Sequence, residues 1–179
     1  MLPGLGEAET VRLSESNSHR ASVIRVALIS AALLVPCFWQ RIQAGDLGSH
    51  IYNAWLARQV ELGNAPGLTI APMWTNVLFD LILSGLYNRF GAEAAQRIAV
   101  PLCVLIFFWG AFALACAATR SRPWFMLPSL AMLTYGWTFH MGFFNFYLAL
   151  GLSLWAMALL LAGGPKARVA ALVLLGIST

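Results

Sequence analysis

Long apolar runs separated by short polar segments dominate the chain, and this pattern predicts membrane-spanning helices. A span needs roughly 20 apolar residues, since a helix rises about 1.5 Å per residue and the hydrocarbon core is about 30 Å thick. The expected spans are 22–39, 98–118, 124–139 and 143–161, followed by an incomplete fifth at 169–179. Because this last run is too short to cross, we expect the chain to be the N-terminal part of a longer protein.

The segment 40–97 has a different pattern, in which charged and apolar residues are mixed. A turn cluster at 63–67, Gly-Asn-Ala-Pro-Gly, separates two helical patterns at 49–62 and 72–90. Both patterns look amphipathic, so they predict helices that lie on the membrane surface or dip into it. Asp80 falls near the middle of the second pattern, where contact with lipid would be costly, and this favours a surface helix over a span.

The composition also indicates a membrane protein. Hydrophobic residues make up 60% of the chain and charged residues 10%, whereas a soluble domain carries about 25% charged residues. The net charge is +4, but no basic run interleaves with aromatic residues on a polar surface, so nucleic-acid binding has little support. The sequence therefore predicts an all-α, multi-spanning transmembrane helical bundle with a large external first loop carrying two amphipathic surface helices. A flexible cytoplasmic tail at 1–21 precedes the transmembrane domain at 22–179.

Basic residues in two short loops set the expected orientation. The loops at 120–122 and 166–168 carry two cations each and no acid, so the positive-inside rule places both in the cytoplasm. The span 98–118 then runs inward and the span 22–39 runs outward. This leaves the whole loop 40–97 outside.

Asp46 and His50 are the first candidates for chemistry. Asp46 follows the predicted exit of the first span, and His50 comes four residues later, so the two share a face if the helix reaches back that far. A carboxylate beside an imidazole can act as a general base, hold a divalent metal ion, or simply form a helix N-cap and a surface pair. The pair alone leaves these alternatives open.

Two segments and the order of elements resemble the GT-C class of integral-membrane glycosyltransferases. The string at 45–54, GDLGSHIYNA, resembles the start of the first external loop in such proteins, where an Asp is followed by a His and a helix. The string at 142–151, GFFNFYLALG, is similar to a stretch of bacterial members. A first span, an early external Asp, a loop with two surface helices and closely spaced spans complete the resemblance, which covers about 23–164 through short motifs.

This resemblance implies transfer of a sugar from a polyprenyl-phosphate-linked donor to an acceptor at the external face of the lipid bilayer. The expected location is the bacterial inner membrane, with a cytoplasmic N-terminus. Asp46 would be the catalytic base that deprotonates the acceptor hydroxyl, or would help to hold a divalent metal ion with His50 as its partner. Arg58, Arg89 and Arg97 would be candidates to pair with the donor phosphate, although an interfacial anchor is the simpler explanation of each.

Three further polar residues are candidates to line the same site. His140 and Asn145 fall at the expected external turn between the third and fourth spans. Their simpler explanation is that they satisfy backbone groups at a tight turn. Asp80 is the other candidate, and simple solvation is the explanation that we favour for it.

The chain departs from the protein mannosyltransferases, which pair two adjacent acids, because Gly45 precedes Asp46 and Leu47 follows it. The main alternative function is a multi-pass transporter or flippase-like protein without transferase chemistry, and a third is a structural subunit. Transporters more often show broken helices, charges at the membrane midplane and matching repeats. Pro101 and Pro128 are weak hints of this, but we find no internal repeat, and the long external loop argues against both alternatives.

Overall fold

The computed structural model describes the backbone of residues 5–39 and 41–178, with side chains from residue 20 onward. Within these ranges the regular elements are all helical. They are α1 (Leu5–Trp39), α2 (Leu47–Glu61), α3 (Leu78–Thr119), α4 (Leu127–Thr134), α5 (Trp137–Met141), α6 (Phe144–Ala162) and α7 (Pro165–Ser178), with a 3-10 turn at Trp124–Met126 before α4. The prediction of an all-α protein is confirmed.

Three of the described helical stretches are long and apolar enough to cross a membrane. They are Arg20–Trp39 within α1, the whole of α3, and α6. These stretches include or closely match the spans expected at 22–39, 98–118 and 143–161. The structure therefore agrees with a membrane protein that has transmembrane helices.

The chain divides into two compact units, one that ends at Pro36 within α1 and one that begins at Cys37. The described backbone is helical from Leu5 onward, and the flexible cytoplasmic tail expected at 1–21 stays a prediction. The second unit contains α2 to α7 and every candidate site residue.

Helix α3 changes direction at Gly91, whose φ of 78° and ψ of 174° lie outside the helical region. Glycine adopts such a conformation without the steric penalty of a Cβ atom. The part before the break, 78–90, is about 20 Å long, and the part after it, 92–119, is about 42 Å long. Only the second part is long enough to cross a core of about 30 Å. The helices expected at 72–90 and 98–118 thus belong to one element with a break at Gly91.

The segment 124–139, expected to form one short span, is divided into the 3-10 turn, α4 and α5. Gly136 separates the two helices because its backbone is extended, with φ −76° and ψ −166°. Pro128 lies in the first turn of α4, where its missing N–H has no cost. Glycine, and not proline, therefore interrupts this segment.

Small residues bring α3 and α6 into close contact. A Cβ atom at Gly110 would lie 2.7 Å from the carbonyl oxygen of Gly151, and a Cβ atom at Gly151 would lie 3.0 Å from the backbone of Phe107. Trp155 donates a hydrogen bond of 3.0 Å from Nε1 to the carbonyl of Ile106. Close backbone approach at small residues is a common way to pack helices in membranes. This close approach holds α3 and α6 together, and the N-terminal ends of both helices contribute to the candidate site.

Candidate functional site

The candidate site forms where the loop before α2 meets the turn between α5 and α6. The N–H of Gly45 donates to the carbonyl of His140 at 2.8 Å, and the N–H of Asp46 donates to the carbonyl of Met141 at 3.0 Å. Gly142 has φ of 77°, and a Cβ atom there would overlap the backbone nitrogen of Asp46. Glycine at this position thereby allows two segments that are distant in sequence to touch.

Asp46 occupies the N-cap position of α2, but its carboxylate makes no capping hydrogen bond. The side chain is 47% exposed, and its Oδ2 lies 3.9 Å from Nε2 of His50. A carboxylate at an N-cap usually accepts a bond from an early amide of the helix. Here it faces the imidazole and solvent instead.

His50 is buried where α2, α3 and α6 meet, with 9% of its surface exposed. Its Nδ1 lies 2.6 Å from Oδ1 of Asp80. The ring packs edge-on against Phe79 and Phe144, at centroid distances of 5.2 and 6.5 Å, and these two rings stack on each other at 4.9 Å. The imidazole therefore lies between two carboxylates, and the packed rings of Phe79 and Phe144 fix its position.

Asn145 holds Asp80 from a second side. Its Nδ2 donates to Oδ2 of Asp80 at 2.5 Å, and its Oδ1 accepts the N–H of Phe79 at 2.8 Å. That N–H belongs to the first turn of α3, where backbone donors have no partner within the helix. Because the amide and the carbonyl of this buried side chain both have partners, its orientation is defined. We call Asp46, His50, Asp80 and Asn145 the polar cluster.

The environment of His50 favours its charged form. Burial by itself would lower the pKa of the imidazole, but the hydrogen bond to Asp80, the charges of Asp80 and Asp46 and the backbone of Gly142 outweigh burial and raise it. A protonated His50 donates from Nδ1 to Asp80 and directs Nε2–H toward Asp46.

The structure thus brings together four of the residues singled out in the sequence, namely the polar cluster. His140 reaches the same place through its backbone carbonyl, while the residue itself is exposed. Asp80 is more than a solvated surface acid, because it bonds both His50 and Asn145. Asn145 was expected to satisfy a backbone group of the adjacent turn. It does satisfy a backbone group, but this is the N–H of Phe79 on α3.

The three candidate arginines lie farther along their helices. Arg58 and Arg89 are eight or nine residues beyond the cluster members of α2 and α3, or about 12–14 Å of helix. Arg58 donates from Nη1 to Oδ1 of Asn88 at 3.1 Å, and Arg89 is exposed. Arg97 lies after the break in α3 and pairs with Glu93, with Nε and Oε1 2.6 Å apart.

An apolar groove adjoins Asp80. It is enclosed by α2, the chain at 68–73 and the first part of α3, and its volume is about 660 Å³. Cavities of this size are typical of small-molecule sites. Most of its lining is aliphatic, and Asp80 is its one ionisable side chain among the residues that line it.

The polar cluster includes the residues that were expected to help hold a divalent metal ion, Asp46 and His50. In the part of the chain whose side chains are described, no group of three or more His, Cys, Asp or Glu residues could hold one. Nδ1 of His50 is already bonded to Asp80, which leaves Nε2 as the ring nitrogen without a carboxylate partner at hydrogen-bond distance. The divalent metal ion therefore stays a prediction, and the role proposed for Asp46 as a base does not require one.

The spacing of Asp46 and His50 predicted that these two residues form a pair. It did not reveal that Asp80 is the closer partner of His50. Asp80 and Asn145 each carry a signal in the sequence, since each is a polar residue within an apolar helical pattern. Phe79, Phe144 and Gly142 were missed as site residues. Nothing local distinguishes these two phenylalanines from the many other aromatic residues of the chain.

No protein-family model, curated protein or solved structure matches this chain. The site is therefore interpreted from its own geometry.

Proposed function

We propose that the chain is a bacterial membrane glycosyltransferase of the GT-C type, or a part of one. It transfers a sugar from a polyprenyl-phosphate-linked donor to an acceptor hydroxyl at the external membrane face. The observation that carries the proposal is the environment of Asp46, whose carboxylate is half-exposed and free of a capping role. It faces an imidazole that Asp80 holds in place.

In this proposal Asp46 is the general base. It accepts the proton of the acceptor hydroxyl as that oxygen forms a bond to the anomeric carbon of the donor sugar. The bond from that carbon to the phosphate oxygen breaks, and the lipid phosphate leaves with the electron pair. His50 supports this role because its ring lies beside the Asp46 carboxylate and is held in place by Asp80.

The position of the polar cluster favours a membrane face over the midplane. Asp46 precedes α2, Asp80 lies in the first turn of α3, and Asn145 lies in the first turn of α6. A transporter would more often place its charges near the midplane. The transferase therefore fits the cluster better than the transporter or flippase-like alternative.

The positive-inside rule supports an external location for the polar cluster. Helix α6 is 19 residues long, or about 28 Å, and the basic residues Lys166 and Arg168 follow its other end. If the positive-inside rule holds, these two cations are cytoplasmic and the cluster is external. The proposal then includes an N-terminus in the cytoplasm of an inner membrane and an external loop at 40–97.

Two helices of that loop would lie at the membrane surface. They are α2 and the first part of α3, which is too short to cross the bilayer alone. Arg58 and Arg89 lie on these helices and are the arginines that we propose as contacts of the donor phosphate. Arg97 is a weaker candidate because Glu93 already neutralises it.

The test of this proposal is sugar transfer in membranes that contain the protein. A labelled sugar on polyprenyl phosphate is the donor, and incorporation into the acceptor fraction is measured for wild type and Asp46→Asn. The asparagine keeps the shape of the side chain but cannot take a proton, so transfer should fall by about 10²–10⁴-fold. Glu61→Gln is the matched control, because Glu61 is an exposed acid at the other end of α2. Unchanged transfer by Asp46→Asn would refute the role of Asp46.

A further inference from the structure

The groove beside α2 combines a hydrocarbon-like lining with one carboxylate. Ala57 and Val60 line it from α2, and Ile70 and Met73 line it from the loop that follows. Asp80 contributes the carboxylate from the first part of α3. The apolar walls suit a hydrocarbon chain, since burying such a chain removes apolar surface from water. The carboxylate restricts which head group can accompany it.

The loop that forms one wall of the groove exposes large apolar side chains. Leu68, Ile70, Met73 and Trp74 are all more than half exposed, and Trp74 is 88% exposed. A contiguous apolar surface of this kind is typical of a contact with lipid or another partner, and tryptophan is enriched at the membrane interface. A molecule that resides in the bilayer would therefore meet this loop.

The charge beside the groove is negative. Asp46 and Asp80 are two acids with the single imidazole of His50 between them, so the formal charge of the three side chains is negative whether or not His50 carries a proton. A phosphate at Asp80 would be repelled by this charge. A hydroxyl group, in contrast, can donate a hydrogen bond to a carboxylate. Each oxygen of Asp80 accepts one bond, from His50 or from Asn145, and each keeps capacity for another.

We propose that the groove binds a long-chain amphiphile with a neutral, hydroxyl-bearing head group, whose hydroxyl donates to Asp80 while its chain lies against α2. Within the transferase proposed above, on which this assignment of a role rests, the bound amphiphile is the acceptor and not the phosphate-linked donor. The hydroxyl that donates to Asp80 positions the head group, and a second hydroxyl of the same head group is the one that Asp46 deprotonates. Charge complementarity selects this occupant, because Asp80 is the one ionisable side chain among the lining residues. Arg58 is not among them, and its guanidinium donates to Asn88 instead.

The test uses a photoreactive long-chain alcohol and the purified chain in lipid nanodiscs. Labelled peptides are identified by mass spectrometry. Label is expected in 53–60 and 68–73, and an unlabelled alkyl phosphate of the same chain length should compete about tenfold less well than the unlabelled alcohol, a difference of about 1.4 kcal/mol. Equal or better competition by the phosphate would overturn the proposal, and this comparison needs no variant.

Two variants add an independent check. Ala57→Trp fills the groove and should abolish labelling, whereas Val169→Trp, at an exposed position of α7, should leave it unchanged. Asp80→Asn removes the charge and should remove the preference for the alcohol over the phosphate. Labelling that persists in Ala57→Trp, or a preference that persists in Asp80→Asn, would refute the groove as the site.

Binding and transfer can fail separately. If the alcohol labels the groove and no sugar transfer depends on Asp46, the groove assignment holds and the transferase proposal fails. If transfer depends on Asp46 but the alcohol does not label the groove, the transferase proposal holds and the acceptor site lies elsewhere.

Discussion

Nδ1 of His50 and Oδ1 of Asp80 lie 2.6 Å apart, although the two residues are separated by 30 positions in the chain. The bond joins α2 to α3, and Asn145 extends it to α6. Three helices therefore meet through one chain of polar contacts. Asp46, the proposed base, lies beside His50 in this cluster. Its geometry therefore depends on Asp80, which lies on a different helix.

The raised pKa of His50 predicts a pH dependence of stability. A group whose pKa is higher in the folded protein than its ordinary value of 6.5 stabilises the fold fully below that value. The stabilisation is lost as the pH rises through the raised pKa. The apparent melting temperature in detergent should therefore be higher at about pH 6 than at about pH 9, and His50→Gln should reduce this difference.

His140→Gln is the control for that experiment. It also removes a histidine, but His140 is exposed and contributes its backbone to the site, so the difference between the two pH values should remain as in wild type. A His50→Gln variant with the full pH dependence of wild type would contradict the assigned environment of His50.

Gly142→Ala should destabilise the fold and separate the loop before α2 from the turn before α6. The alanine Cβ would overlap the backbone nitrogen of Asp46, and the positive φ adds a conformational cost of about 1–2 kcal/mol. The measurement is thermal unfolding in detergent. Gly63→Ala is a matched control, because Gly63 has nearly the same φ, 76°, but nothing lies within 4 Å of its Cβ position. Equal losses in the two variants would mean that the close approach at Gly142 is unimportant.

The apolar pattern predicted most of the helices, because long apolar runs have few structural solutions in a membrane. The helix expected at 49–62 is α2, and the run at 143–161 is α6. The helix expected at 72–90 and the span expected at 98–118 are two parts of α3, and residues 92–97 are helical as well. Only Gly91 breaks the regular backbone there, and its φ and ψ cannot be derived from residue type alone.

The candidate site was less predictable than the helices. Asp46 and His50 are four residues apart, so local helical geometry relates them. The bond between His50 and Asp80 depends on how two helices pack, and nothing in the local sequence specifies that packing. The same reason explains why the close approach at Gly142 was missed, since its neighbour Asp46 belongs to a distant segment.

The proposed topology predicts opposite accessibility for two introduced cysteines. In a background with Cys37, Cys103 and Cys116 replaced by Ala, a membrane-impermeant maleimide should label Pro66→Cys in right-side-out vesicles. It should label Ser121→Cys only after permeabilisation, because the positive-inside rule places Ser121 in the cytoplasm. Labelling of both positions from the same side would contradict the topology.

The central claim is that Asp46, His50 and Asp80 act as one unit in sugar transfer, and a double-mutant cycle tests it most directly. The rate of transfer from labelled polyprenyl-phosphate sugar is measured for wild type, His50→Gln, Asp80→Asn and the double variant. We predict that each single change lowers the rate by about 10–100-fold and that the double variant is about as slow as the slower single one, because residues that act as a unit are not additive. Losses that multiply in the double variant, or rates equal to that of wild type, would contradict the claim.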